Sequence, residues 1–365
     1  MVAAVVASAA VAFLHGGNLV VVDLGTHHQR VVMHNAGIGP VRWSGDGRLV
    51  SSGGKIAGGP TLPTAQPVWA PAGETAAWVT KRGGVRMWSR AQGFRTVIRD
   101  GWGAWSIAWK GATLVVGRSI CQQCGKPPHH EIWEVRDGKR RLLLKRPNDA
   151  GLPMPFAIDP RGRILWWDWP YSGSIASDGV ALYANGTKIA SMLMYPDWVA
   201  PCGSTLALAV GGDRNSMHGK SIVLDGRDVS QDRSRSWVSP ACSADGRTLV
   251  ATADPNTTDG PWGREHRAVW QLLPTRRRLT HPPRGWTDEA PTVLSDGSIL
   301  FVRTRQTSAK VNGEWIEHDR GTLEILRHGT ITPVADLSFS ANELSGAFGQ
   351  FYGHYTWPQR MAVRR

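Results

Sequence analysis

The sequence predicts an all-β protein, and three observations lead to that prediction. The 365 residues include 42 glycines, 23 prolines and 18 tryptophans. Glycine and proline break helices, whereas tryptophan and valine favour the pleated surface of a sheet. A pattern of proline, turn and apolar strand also recurs along most of the chain. Together these features disfavour a helical bundle, a coiled coil and a doubly wound α/β enzyme.

The recurring pattern predicts pairs of strands joined by tight turns. Six copies start at Pro40, Pro67, Pro155, Pro201, Pro240 and Pro291, and divergent copies start at Trp105 and His354. In five of the six, a glycine follows the leading proline by six or seven residues. Asp-Gly between two apolar runs is typical of a hairpin turn, because glycine takes a positive φ at little cost.

Most copies are followed by a second hairpin. Its turns are predicted at Asp137-Gly138, Asn185-Gly186, Asp225-Gly226 and His328-Gly329, with a further one around Pro274. Two hairpins in series form a four-stranded antiparallel blade. Such blades repeated around an axis form a β-propeller, which leaves only short, protected edges.

The inner-strand signals predict the number of blades and how the ring closes. They lie near residues 40, 67, 105, 154, 198, 237, 290 and 354, which gives eight blades, with seven as the fallback. The first spacing is short, so the blade over 39–66 is expected to be reduced. Three strand-like runs at the start (11–14, 19–23 and 29–33) lack an inner strand, whereas the end of the chain supplies one. We therefore expect the N- and C-terminal strands to pair and close a single domain over residues 11–365.

The repeat resembles that of the TolB-like propellers, which are relatives of the WD-repeat blade. The resemblance lies in the run from Pro40 through Trp43 and Ser44 to Asp46-Gly47, and in residues 288–301. Arg278-Leu279-Thr280 is similar to the end of an outer strand in that family. The family includes periplasmic scaffold proteins and propellers attached to peptidases. The resemblance implies the architecture and no particular partner, since function on a fold has to be argued from a site.

The amino-terminal segment and the charge bear on location and partners. Residues 2–14 are apolar apart from Ser8. They contain Ala7-Ser8-Ala9, a small-x-small cleavage pattern, but no basic region precedes it. Residues 1–10 are thus the remnant of an export signal or a first strand. We expect a secreted, periplasmic or cell-envelope protein, or a cytoplasmic one if this segment is only a strand. No apolar run reaches the ~18–20 residues of a membrane helix.

The formal net charge of +13 favours polyanionic partners, such as an anionic cell-envelope polymer. The basic residues are scattered, with short clusters only at 139–141 and 276–278. This distribution disfavours specific nucleic-acid binding, which needs a basic stripe. We expect a monomer without a cofactor.

The four cysteines predict two disulfide bridges. Cys202 and Cys242 occupy the same place in successive repeats, so they should lie side by side in neighbouring blades. Cys121 and Cys124 would form the second bridge, and disulfides fit an oxidising compartment. Two alternatives remain open: a zinc site of Cys121, Cys124, His129 and His130, or unpaired thiols.

Several aromatic residues precede the inner strands, where the chain enters the rim of the channel. These candidate binding residues are Trp105, Trp198, Trp237, Trp286 and His354. A ring of indoles can stack on sugars or clamp a peptide; the alternative is that the indoles are wedges packed between blades. Asp254, Asn256 and Asp259 suggest Ca²⁺ only weakly, since their spacing does not match an EF-hand.

No catalytic motif is present: the sequence has no GxSxG, Walker A or HExxH pattern. The sequence therefore predicts a non-enzymatic interaction module that binds a protein, peptide or glycan on one rim. The alternative is a propeller enzyme with an active site at the channel mouth, such as a lyase, a hydrolase or a relative of the quinoprotein dehydrogenases. The repeated tryptophan-docking motif of those dehydrogenases is absent.

Overall fold

The computed structural model describes residues 9–37, 39–64, 66–120, 129–147, 156–168, 180–193, 199–211, 219–255, 267–311, 314–337 and 361–364. Over these ranges the chain forms strands and turns without a helix. The strands make eight antiparallel sheets arranged in a ring, which confirms the prediction of an eight-bladed β-propeller. None of the described segments is a helix long and apolar enough to cross a membrane.

The first two blades depart from the simple order of four consecutive strands. Blade 1 contains β1 (Ala10–His15), β2 (Asn18–Asp23), β3 (Gln29–Met33) and, from the other end of the chain, β31 (Met361–Arg364). Blade 2 contains β4 (Val41–Trp43), β5 (Val50–Ser52) and β6 (Lys55–Ile56). In place of a fourth strand, blade 2 has a single bridge between Lys55 and Thr61, so it is reduced as predicted.

The other six blades each consist of four strands that follow one another from the channel outwards. Blade 3 contains β7 (Val68–Trp69), β8 (Thr75–Val79), β9 (Val85–Ser89) and β10 (Gly93–Ile98). Blade 4 contains β11 (Ala104–Lys110), β12 (Thr113–Ile120), β13 (His129–Arg136) and β14 (Lys139–Pro147). Blade 5 contains β15 (Phe156–Ile158), β16 (Ile164–Asp168), β17 (Val180–Ala184) and β18 (Thr187–Leu193).

The second half of the ring repeats this arrangement. Blade 6 contains β19 (Val199–Cys202), β20 (Thr205–Val210), β21 (Ser221–Leu224) and β22 (Arg227–Asp228). Blade 7 contains β23 (Arg235–Cys242), β24 (Leu249–Pro255), β25 (Ala268–Leu273) and β26 (Arg277–Arg278). Blade 8 contains β27 (Thr287–Val293), β28 (Ile299–Val311), β29 (Glu314–Arg327) and β30 (Thr330–Asp336).

The two ends of the ring differ in their connections. The end that we call the turn rim carries the tight hairpins between first and second and between third and fourth strands. The opposite end, the loop rim, carries the longer passages from one blade to the next, such as residues 99–103, 229–234 and 279–286. The four Asp-Gly, Asn-Gly and His-Gly turns predicted from the sequence lie on the turn rim. Both central residues of each have positive φ, for example 49° at Asp137 and 75° at Gly138, as a type I′ turn requires.

The Ser-x-Asp-Gly part of the repeat builds its own turn. The Ser44 hydroxyl donates to Asp46 Oδ1 at 2.6 Å and accepts from the Leu49 amide at 2.9 Å. Partial burial opposes ionisation of Asp46, but the hydrogen bonds from Ser44 and the Arg48 amide outweigh it, so the pKa of Asp46 lies below its ordinary value. Gly47 supplies the positive φ of 69°.

The core is divided among the blade interfaces. Each of the eight apolar clusters lies between one pair of neighbouring blades. Strand β1 shows how alternation achieves this: Ala10 and Ala12 pack toward blade 2, whereas Val11 and Phe13 pack toward blade 8. Every blade is therefore apolar on both faces and depends on both neighbours.

Pairing between the two ends of the chain closes the ring, as predicted. Strand β31 pairs antiparallel with β1, with Ala10 opposite Arg364 and Phe13 opposite Met361. The closure is reinforced from blade 2, because Trp43 Nε1 donates to the Ala362 carbonyl oxygen at 2.9 Å. The Arg364 guanidinium carbon lies 5.1 Å from the centre of the Trp43 ring.

Deleting residues 361–365 should remove most of the stability of the fold. The deletion uncovers the channel edge of β1 and removes the acceptor of the Trp43 indole. Thermal unfolding should show a large fall in Tm, whereas Arg364→Gln, which keeps the strand pairing, should cost little. A truncated chain with the Tm of the full chain would contradict closure by β31.

The free energy of unfolding should fall as the pH is lowered below about 4. Asp46, and Asp245 in the equivalent turn of blade 7, have pKa values below the ordinary one, the latter mainly through the Ser243 hydroxyl. A depressed pKa stabilises the fold above the unfolded-state pKa and loses this effect as the carboxylate is protonated. Ser44→Ala should raise the pKa of Asp46 in an NMR titration and weaken the pH dependence of unfolding. An unchanged Asp46 titration would show that the turn does not act in this way.

Candidate functional site

A cavity of about 960 Å³ follows the inner strands of blades 2, 3 and 4 along the channel. Three indoles from equivalent strands line it: Trp43, Trp69 and Trp105. Two cations line it as well, Arg42 on β4 and Lys81 just after β8. The remaining polar lining comes from Thr64, Gln66, Thr80 and Ser106. None of the described lining residues is a carboxylate or a histidine.

Two of these indoles are fixed by hydrogen bonds to neighbouring blades. Trp43 Nε1 is bound to blade 1 as described above, and Trp69 Nε1 donates to the Ser51 hydroxyl of blade 2 at 3.0 Å. The Trp69 ring also meets Trp88 edge to face, with centroids 6.4 Å apart. Both indoles are half-buried. Their polar groups are therefore used by the fold, and the exposed part of each indole is its apolar surface.

Trp105 stands at the start of β11, next to the loop rim. Its ring meets His130 and Phe156 edge to face, at centroid distances of 5.8 and 6.0 Å. Gly117 makes room for it, since a Cβ there would lie 3.0 Å from the Trp105 ring. Trp105 Nε1 is buried and has no hydrogen-bond partner among the described residues. The indole is half-buried.

Arg42 supplies a positive charge within the channel. Its side chain is accessible to solvent within the channel. The surrounding channel walls partly desolvate the guanidinium, and this desolvation lowers its pKa. The group stays charged at neutral pH, because an arginine is not deprotonated in proteins. Arg42 Nη1 donates to the Val41 carbonyl oxygen at 2.8 Å, which holds the guanidinium close to its own strand. A partly desolvated cation attracts an anion more strongly than one in bulk water.

The described residues include three of the five predicted rim residues, Trp105, Trp237 and Trp286. Trp105 lines the cavity, whereas Trp286 lies half-buried on the passage into β27 and is not part of the lining. Trp198 and His354 lie outside the described residues.

Trp237 was predicted as a candidate binding residue at the rim, but the structure places it in the interior. It is 0% exposed and packs in the apolar cluster between blades 6 and 7. Its Nε1 donates to the Asp232 carbonyl oxygen at 3.1 Å, and its ring meets Trp270 edge to face at 5.6 Å. Because no surface of Trp237 reaches solvent, its place in the fold is that of a wedge between blades.

Of the two predicted disulfide bridges, one lies among the described residues and the other does not. Cys202 and Cys242 form the expected disulfide, which joins the inner strands β19 and β23 of blades 6 and 7, with Cα atoms 5.0 Å apart. Cys121 and Cys124 lie outside the described residues, so their bridge and the zinc alternative stay predictions. His129, one of the proposed zinc ligands, has Nε2 2.9 Å from Glu131 Oε1. No group of three or more potential metal ligands occurs among the described residues.

A buried ionic cluster lies between blades 7 and 8. Arg267 lies 3.3 Å from Asp254 and 3.4 Å from Glu289, and Arg303 contacts both oxygens of Asp288 at 2.7 and 3.0 Å. Asp254, which the sequence weakly associated with Ca²⁺, thus pairs with an arginine. Asn256 and Asp259 lie outside the described residues. The cluster is best explained as a set of structural ion pairs where the two adjacent blades pack together.

Sequence analysis missed Arg42, Trp43 and Trp69 as site residues. They lie inside the first two copies of the repeat, in the two or three positions after the leading proline. That position was interpreted only as inner strand. A signal was available, since an indole recurs there in two neighbouring copies and equivalent strands meet around a channel.

The chain was compared with protein families, curated proteins and solved structures. No protein-family model and no curated protein matches the chain. Among solved structures, it is similar to the Pyrococcus horikoshii acylaminoacyl peptidase, with 8% identity and a TM-score of 0.47 over 87% of this chain and 48% of that one. The chain thus spans about half the length of that protein.

Two further solved structures are similar to the chain. An oligogalacturonate lyase in complex with manganese has 13% identity and a TM-score of 0.36 over 87% of this chain and 70% of that one. The β-propeller domain of the trilobed protease from Pyrococcus furiosus has 11% identity and a TM-score of 0.38 over 74% of this chain and 97% of that one.

Replacing Trp237 with alanine should destabilise the protein by ~3–5 kcal/mol, because it empties a fully buried site between two blades. The matched variant Trp286→Ala, at a half-buried position, should cost clearly less. Urea unfolding of both variants measures the difference. Equal and small losses would mean that Trp237 is not a wedge.

Proposed function

We propose that the protein is a non-enzymatic binding module that takes up an acidic oligosaccharide in the channel cavity of blades 2–4. The observation that carries this proposal is the lining, in which three indoles accompany the cationic side chains of Arg42 and Lys81. Protein, peptide and neutral glycan ligands do not require this combination of rings and positive charge.

Each part of the lining has a counterpart in such a ligand. The indole rings offer flat apolar surfaces on which sugar rings stack, and the Nε1 groups of Trp43 and Trp69 are already bonded within the fold. Arginine matches a carboxylate through paired N–H donors, and lysine adds a point charge. The hydroxyl and amide groups of Thr64, Gln66 and Ser106 suit sugar hydroxyls. The volume of about 960 Å³ falls in the ~300–1,000 Å³ range of ligand pockets.

The charge and the disulfide support an extracytoplasmic place for this module. The net charge of +13 raises the local concentration of polyanions around the protein. The disulfide between Cys202 and Cys242 is typical of oxidising compartments. We propose an exported, monomeric propeller of the TolB-like type whose partner is an anionic polymer of the cell envelope.

The second candidate function is a propeller enzyme that acts on such a chain. The similar structures named above are described as peptidases and a lyase, which fits this alternative better than a binding module, although the likeness extends only to the fold. Proton transfer in lyases and hydrolases uses carboxylates or histidines within hydrogen-bond reach of the substrate. The described cavity lining supplies neither, and this favours binding over catalysis.

Calorimetric titration with a trimer of galacturonate, and with maltotriose as its neutral counterpart, tests the proposal. The acidic trimer should bind and maltotriose should bind much more weakly. Trp69→Ala should weaken binding about fivefold to tenfold, since stacking contributes ~1 kcal/mol beyond burial. Arg42→Gln should reduce the preference for the acidic trimer, whereas Trp286→Ala, outside the cavity, should leave binding unchanged.

Two results would overturn the proposal. The first is no binding of the acidic trimer, or binding that the Trp69 and Arg42 variants leave intact. The second is the appearance of shortened or unsaturated products during incubation with the acidic oligomer, which would establish the enzymatic alternative.

A further inference from the structure

A strongly basic strand lies at the outer edge of blade 4. Strand β14 contains five basic residues among nine: Lys139, Arg140, Arg141, Lys145 and Arg146. All are exposed except Arg146, which is half-buried. As the outermost strand of its sheet, β14 presents these charges on the outside of the ring. At ~3.3 Å per residue the strand spans roughly 30 Å.

Two of these five cations, Arg140 and Arg146, are positioned by aromatic rings, and a third, Arg141, is paired with a carboxylate. Arg141 pairs with Glu134 at 2.6 Å. The guanidinium of Arg140 instead lies 5.7 Å from the Trp102 ring centre, and that of Arg146 lies 5.4 Å from the Trp166 ring centre. A ring orients a cation through its negative face but leaves its charge available to an anion.

A second, smaller cavity adjoins the start of this strand. It has a volume of about 420 Å³, lies between blades 3 and 4, and is lined by Trp102, Arg99 and Arg140. Asp100, the carboxylate in its lining, already accepts a hydrogen bond from Thr80 at 2.7 Å. The cavity thus places an indole beside two exposed arginines, so both cavities combine indole rings with basic side chains.

The two basic sites belong to the same blade but lie apart. Blade 4 supplies Trp105 to the channel cavity from β11, and β14 lies three strands farther out. At ~4.8 Å per strand the separation is about 14 Å before the length of β14 is added. To contact both sites at once, a ligand seated in the channel must extend beyond this separation and along β14.

We propose that β14 and the adjoining cavity form a second binding surface for the same ligand, which is therefore a long acidic polysaccharide. This inference rests on the proposed function for the identity of the ligand. Two linked contacts on one chain convert the second binding event into an intramolecular one and raise affinity by ~10²–10⁴ without a new type of contact. The channel recognises the sugar, and β14 selects for chain length and charge.

Basic residues on an edge strand also have a simpler explanation. Lysine and arginine at such edges prevent sheets from pairing edge to edge and aggregating. In that case the removal of charge from β14 promotes association of the protein and leaves ligand binding unchanged, so the two explanations predict different results.

The test compares long polygalacturonate with the galacturonate trimer at low salt. The triple variant Lys139→Gln, Arg140→Gln and Lys145→Gln spares the paired Arg141 and the half-buried Arg146. It should weaken polymer binding about tenfold to 100-fold, flatten its salt dependence, and leave trimer binding unchanged. Light scattering and thermal unfolding verify that the variant is monomeric and folded.

A matched control carries the same loss of charge on another blade. Arg276, Arg277 and Arg278 lie at the outer edge of blade 7, and their guanidiniums hydrogen-bond to the Ser230 carbonyl, Gln271 and the Thr280 carbonyl. Their replacement by glutamine should change polymer binding less than twofold. An equal loss in both triple variants would mean that net charge alone acts, and would overturn the proposal.

Three other outcomes would each decide one part of the proposal. Unchanged polymer binding in the β14 variant overturns the second surface. Polymer binding that depends on β14 while the trimer fails to bind supports the second surface and overturns the channel site. Duplex DNA of equal charge that binds more tightly than polygalacturonate, with the same dependence on β14, overturns a glycan as the ligand.

Discussion

The structure depends on apolar packing between neighbouring blades around a closed ring. Each of the eight clusters of buried side chains belongs to two blades at once, so no blade contains a core of its own. A single four-stranded sheet with two apolar faces is stable only when both faces are covered. The pairing of β31 with β1 matters because it is the step that leaves no face of the ring uncovered.

Closure of the ring and the candidate site share residues. The Ala362 carbonyl oxygen on β31 accepts a hydrogen bond from the Trp43 indole, and the Arg364 guanidinium lies over the same ring. The indole that lines the cavity is thus oriented by the strand that closes the propeller. The weak point of the ring, the reduced blade 2, is also the blade that supplies Arg42 and Trp43.

The basic surplus is distributed according to position in the blade. Buried arginines such as Arg267 and Arg303 are paired with carboxylates, because an unpaired charge in the interior is costly. On β14, the guanidiniums of Arg140 and Arg146 lie instead beside indole rings. The sequence does not distinguish these two kinds of arginine.

The sequence by itself determined the features that short segments control. The Asp-Gly, Asn-Gly and His-Gly pairs specified the type I′ turns, because both residues of each pair adopt a positive φ. The Ser-x-Asp-Gly run specified its own hydrogen-bonded turn. Alternating apolar residues specified strands covered on both faces. Recurrence of these signals gave eight blades, the reduced second blade, the closure between the chain ends and the bridge between Cys202 and Cys242.

Only the tertiary structure decided which indoles are buried. Trp237 and Trp105 both lie near the start of their inner strands, yet Trp237 is enclosed between blades 6 and 7, whereas Trp105 lines the cavity. Trp43 and Trp69 were missed for the converse reason, since they appeared to be ordinary strand residues. The exposure of a side chain depends on the size and spacing of the blades on either side of it. Those neighbours are distant in sequence, so no local pattern contains that information.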